Sequence, residues 1–159
     1  MKFVAARSRM ESMMTEGPKK LKVHMVTHVT SAQSLEVGDV DDHIASLARF
    51  SGLAFYTDGT VGTVNFASLT DYTDGAGSFT LFPILSFDDG SELWVKSVGT
   101  AKVEGNKTRF VGTLTVVGGK GRFADAKGDG GLTGTRYTPL AVGADLVSDY
   151  TINLRSSRA

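Results

Sequence analysis

From residue 21 onward, apolar and polar positions take turns along the chain. Leu21-Lys22-Val23-His24-Met25-Val26-Thr27-His28-Val29-Thr30 alternates and is rich in β-branched residues, the two-residue period of a strand with two unlike faces. The same pattern returns over residues 44–56, 61–72, 78–87, 92–103, 108–117, 131–137 and 144–154. Between these runs stand turn signals. Thr57-Asp58-Gly59-Thr60, Asp74-Gly75, Asp88-Asp89-Gly90-Ser91 and Glu104-Gly105-Asn106-Lys107 are short and glycine-bearing, and Asp-Gly suits hairpin turns whose central residues need positive φ. Residues 31–43 are polar and acidic and are expected to form a loop. Pro83 cannot donate to a ladder, so an edge or bulge is expected beside it. Met10, Met13 and Met14 recur at helical spacing, which makes the first 18 residues a leader, either a short helix or unstructured, ended by Gly17-Pro18.

Eight runs joined mostly by tight turns predict an all-β antiparallel up-and-down meander over residues 19–155, a single domain. An open sheet of that width leaves two edges unpaired, and closing it removes both. Eight strands close around a lumen that holds side chains or one small ligand. An eight-stranded barrel is therefore the expected architecture, with a β-sandwich as the structural alternative.

Composition narrows the function. The 159 residues allow one domain of ordinary size. Lys and Arg (17) balance Asp and Glu (17), so the basic excess of a nucleic-acid binder is missing. Without cysteine there is no thiolate nucleophile, disulfide or zinc-thiolate site. No apolar run approaches the roughly 20 residues of a membrane helix, and the leader lacks the apolar stretch of a signal peptide. The expectation is a cytoplasmic protein without nucleic-acid or membrane partners, metal or cofactor.

Candidate chemistry sits on the strand faces. His24 and His28 share a face of the first strand, but four residues of strand span about 13 Å, too far for one metal ion. They are read as lumen acid–base groups or hydrogen-bond donors, against an outer solvated face. Asn65 shares a face with Val61, Thr63, Ala67 and Leu69 and is a candidate lumen hydrogen-bond donor, against a satisfied core amide. Arg49, near Phe50, is a candidate for neutralising an oxyanion, against a plain surface arginine. Tyr56, Tyr72, Tyr150 and Phe66 are candidates for ligand contact. For the fifth strand two readings compete. Either Leu93, Val95 and Ser97 face the lumen and Glu92, Trp94 and Lys96 lie outside, or Trp94 floors a ligand pocket. Gly119-x-Gly121-x-x-Ala124 fits a dinucleotide fingerprint formally, yet Gly128 to Gly131 interrupts the helix that motif requires. Asp39, Asp41 and Asp42 are read as a solvated loop.

The stretch Gly118-Gly119-Lys120-Gly121-Arg122-Phe123, followed by Ala126-Lys127-Gly128 between two strands, resembles the allene oxide cyclase and dirigent barrels. Phe87-Asp88-Asp89-Gly90-Ser91-Glu92-Leu93-Trp94-Val95 is similar to that superfamily's turn between two long central strands. The resemblance spans roughly residues 49–154. It implies a closed barrel with an apolar lumen, often a dimer or trimer, that isomerises or cyclises a small reactive compound. The plant cyclases act through a glutamate and an asparagine on the first strand. Here that strand offers His24, Thr27 and His28, so no catalytic residue transfers. The expected function is a cofactor-independent isomerase or cyclase acting on an oxylipin- or polyketide-like intermediate. The alternatives are a lipocalin-like carrier and a barrel filled by its own side chains.

Overall fold

A computed structural model describes residues 19–156; the expected leader lies outside them. Eight strands follow one another around a closed antiparallel barrel: β1 (Lys19–Glu36), β2 (His43–Tyr56), β3 (Val61–Thr73), β4 (Ala76–Ser86), β5 (Glu92–Glu104), β6 (Lys107–Lys120), β7 (Ala126–Arg136) and β8 (Asp145–Ser156). β8 closes onto β1, with Val23 opposite Tyr150 and Met25 opposite Ser148. The sandwich alternative is thereby excluded. Alternation decides what fills the barrel. Val23, Met25, Thr27 and Val29 face inward from β1, and Leu146, Ser148, Tyr150, Ile152 and Leu154 from β8. The Asp74-Gly75 hairpin has both residues at positive φ (54° and 80°), the primed turn that matches strand twist.

Three expectations need correction. β1 runs on through Glu36 instead of ending at Thr30. A bulge between Val29 and Ser31 shifts the register, and residues 31–36 pair with β2 beyond the point where β8 stops. Polar side chains suit this ribbon because it stands at the barrel rim with most of its residues exposed. β7 begins at Ala126, earlier than residue 131. Gly128 and Gly130 weaken the strand pattern, but β8 approaches so closely that a Cβ at either would strike the carbonyls of Asn153 and Thr151. Pro83 is buried in β4 between two strands, with no bulge beside it. Pairing with β5 simply lapses between Leu81–Ser97 and Ile84–Trp94 and resumes in the same register.

The glycine stretch closes one end. β6 passes into a 3-10 turn, Gly121–Phe123, before β7. Gly121 has φ 67° and lies against Ser91, leaving no room for a side chain. Phe123, half-buried, packs on Phe87 with centroids 4.7 Å apart, and Phe87 stacks on Tyr56 at 4.6 Å. Arg122 covers both phenylalanine rings at 4.8 Å. This aromatic plug makes a sealed base. The other end, where the β1–β2, β3–β4, β5–β6 and β7–β8 connections gather, is the mouth. Among the described residues no helix is long and apolar enough to cross a membrane.

Candidate functional site

The mouth end is hollow. Stacked rings of Phe50 and Phe66 (4.5 Å, 12°) form one wall, and Phe79 meets Phe110 edge-on (5.6 Å, 71°) on another. Gly99 makes room for Phe79, since a Cβ there would come within 2.7 Å of the ring tip. Leu81, Leu132, Leu146 and Tyr150 add to the apolar lining, and Leu140 contributes from the β7–β8 connection. The space is narrow. Its cavity volume is ≈ 20 Å³. That is room for about one water, so a larger guest must displace lining side chains.

One charge enters this apolar surround. Arg136, the last residue of β7, lines the hollow and is only 5% exposed. Its Nε donates to the Thr138 carbonyl at 3.0 Å, and its guanidinium lies 5.3 Å from the Phe110 ring centre. Among the described residues no carboxylate forms an ion pair with it; Asp39 and Asp71 are engaged by His43, and Glu104 by Arg109. The Tyr72 hydroxyl lies beside the guanidinium but meets no partner at hydrogen-bond geometry, and the Thr70 hydroxyl is likewise unpartnered. Burial pushes the Tyr72 phenol up to about 12, with the neighbouring cation opposing it. Burial also pushes Tyr150 up to about 12. Both phenols therefore keep their protons near neutrality and act as donors, not bases. Burial lowers the pKa of Arg136, with Tyr72 opposing, yet a guanidinium stays charged at neutral pH.

Of the expected site residues, Phe66, Tyr72 and Tyr150 line this hollow. Tyr56 faces inward at the opposite end, in the base. The lumen positions expected of His24, His28, Asn65 and Arg49 are wrong: all four stand on the outer face. Each shares parity with exposed neighbours, while the bulkier alternate set fills the barrel. His24 pairs with Asp149 at 2.7 Å, and Asn65 accepts from the Ser51 hydroxyl at 2.8 Å. Trp94 is also outside, 38% exposed, donating its indole N–H to Glu92 at 2.9 Å. Leu93, Val95 and Ser97 are the inward set of β5. Arg136 was missed. Its signal lay in parity, since Leu132, Gly134 and Arg136 share one face of β7. Among the described residues no group of three His, Asp or Glu could hold a metal ion.

A closed eight-stranded barrel with an aromatic hollow at its mouth, into which Arg136 brings a charge, is the class that fold and site define. Solved structures similar to it include a pyocyanin demethylase (TM-score 0.55, 15% identity, covering 86% of this chain and 100% of that one). A pterocarpan synthase dirigent protein is similar at TM-score 0.56 and 14% identity, covering 89% and 97%. A conserved protein of unknown function from Rhodopseudomonas palustris matches at 0.52 and 14%, covering 89% and 100%. The dirigent barrel type expected from the glycine stretch is thus among its structural neighbours. No family model matches the chain, and no curated protein matches it in sequence.

Proposed function

We propose that the barrel is a cofactor-independent isomerase or cyclase that takes a small hydrophobic, reactive molecule into its mouth. The supporting observation is the chemistry of the hollow: aromatic walls and buried hydroxyl donors, with one cation and neither carboxylate nor imidazole in the lining among the described residues. Such a site cannot abstract a proton with a side-chain base. It can hold a flexible substrate in a ring-closing conformer, exclude water and stabilise developing negative charge. Two similar barrels are named for a demethylase of pyocyanin and a synthase of pterocarpan, so the same architecture carries small-molecule chemistry elsewhere. The missing base equally favours a second reading, a lipocalin-like carrier.

Native mass spectrometry of the isolated protein, followed by chromatography of any released compound before and after incubation, separates them. Altered retention at unchanged mass marks an isomerase or cyclase. Unchanged retention marks a carrier. A barrel that retains nothing and takes up no hydrophobic compound overturns both. The same spectra report subunit number. Leu53, Phe55, Val61, Phe82, Ile84, Trp94 and Val98 are exposed on the outer faces of β2 to β5. We propose this apolar strip as the contact of a dimer or trimer.

A further inference from the structure

We propose that Arg136 is an anion anchor, and that the ligand of the hollow is a small apolar monoacid whose carboxylate docks on it. The inference rests on reading the hollow as a ligand site. An arginine only 5% exposed as a residue, set among phenylalanine and leucine side chains, is costly to hold without a counter-charge. Among the described residues that counter-charge is absent: Nε is used on a backbone carbonyl, and the Nη groups make no ion pair. Two further hydroxyls on the same wall, Tyr72 and Thr70, are buried and unpartnered. The Tyr72 phenol and the guanidinium N–H groups are donors. A carboxylate accepts only, and offers two oxygens to such a set.

The charge balance sets the class. One buried cation neutralises a monoanion, whereas a phosphate dianion would leave negative charge among apolar walls. The rings of Phe50, Phe66, Phe79 and Phe110 ask for a flat aromatic or unsaturated body. Leu140 adds apolar surface to the same hollow from the β7–β8 connection.

The test uses trans-cinnamate and its neutral isostere trans-cinnamamide, titrated calorimetrically into the full chain, with thermal melting and circular dichroism as fold controls. The expected result is that wild-type protein binds cinnamate roughly 10- to 100-fold tighter than the amide, the range of a hydrogen-bonded charge. Arg136→Met should abolish that preference while still binding the amide, and Arg136→Lys should restore part of it. Equal binding of acid and amide by the wild type overturns the anchor but leaves the hollow a ligand site. A preference that survives Arg136→Met also overturns the anchor, since the anion then sits elsewhere. Failure of both compounds to bind overturns the ligand-site reading itself. Should Arg136→Met not fold, Tyr72→Phe decides: a reduced preference supports the anchor, and an unchanged one overturns it.

Discussion

Each end of the barrel sets an arginine against aromatic rings, and the two arginines are otherwise opposites. At the base, Arg122 lies over Phe87 and Phe123, its side chain is 53% exposed, and Asp89 stands 3.7 Å away. Its charge is solvated and partnered, and its stem covers the plug beneath. At the mouth, Arg136 lies over Phe110, buried, with no acid beside it among the described residues and two unpartnered hydroxyls nearby. The base also buries one unpartnered hydroxyl, that of Tyr56, but its charge is exposed and paired. The mouth buries a charge that the described residues leave unpaired, and that contrast, rather than hollow volume, separates a closure from a site.

Damage to the base should therefore cost stability and spare ligand affinity. Phe87→Ala removes the ring that links Tyr56 to Phe123 and should destabilise by about 3–5 kcal/mol, read as a shift in denaturant midpoint. Affinity for a ligand of the mouth should hold wherever the variant remains folded. A parallel loss of affinity under those conditions would mean the two ends are coupled. Gly121→Ala should cost less, about 1–2 kcal/mol for a left-handed residue carrying a Cβ. Its new methyl meets Ser91, whose hydroxyl accepts from the Arg122 amide at 3.2 Å.

Exchanging the two arginines for methionine sharpens the contrast further. Arg122→Met loses an exposed ion pair and a cation–π contact, and should lower stability by about 0.5–1 kcal/mol. Arg136→Met removes a buried charge without a counter-ion, and should leave the ligand-free protein as stable or about 1 kcal/mol more stable. Chemical denaturation of both variants against wild type reads the sign. If Arg136→Met instead destabilises by several kcal/mol, the charge at the mouth is as well compensated as the one at the base.

The same two ends show what a sequence displays and what it hides. The turns were legible because Asp58-Gly59, Asp74-Gly75 and Asp89-Gly90 place glycine where φ is positive. Strand phase was harder. β3 offers Val61, Thr63, Ala67 and Leu69 on one face and Val64, Phe66, Ser68 and Tyr72 on the other, both plausible interiors. The bulky aromatic set goes inward because eight strands enclose space that small residues would leave empty. That choice put Asn65 outside. His24 and His28 follow the same logic on β1, where Val23, Met25 and Val29 fill the core. Arg136 escaped because an inward arginine violates the usual polarity of a core position. Its meaning depends on Tyr72 of β3 and Phe110 of β6, which only the closed barrel brings beside it.

Acidity offers the gentlest probe of the contrast, because the carboxylates involved are exposed, His43 is half-buried, and the effects are small. At the mouth, His43 lies between Asp39 (Nδ1 at 2.7 Å) and Asp71 (Nε2 at 2.6 Å), tying the β1–β2 connection to β3. Hydrogen bonds from the imidazole to Asp39, then Asp71, raise its pKa above the ordinary 6.5. The folded state therefore favours the protonated ring, and the tie is complete below pH 6.5 and lost as pH rises through the raised value. At the base, Asp58 is held below the ordinary 3.8 chiefly by the Thr60 hydroxyl, and Asp89 by the Ser91 amide. Their contribution is present above pH 3.8 and lost as pH falls through the lowered values. Asp39 behaves as they do, held low first by the Val40 amide, so the β1–β2 tie also fails in strong acid. Amide exchange followed from pH 5 to 9, corrected for intrinsic rates, should show protection around residues 37–43 falling while that of residues 57–60 and 88–91 stays level. His43→Gln should flatten the mouth response and leave the base untouched. A mouth that keeps its protection to pH 9 would mean that the imidazole is not what holds this rim in place.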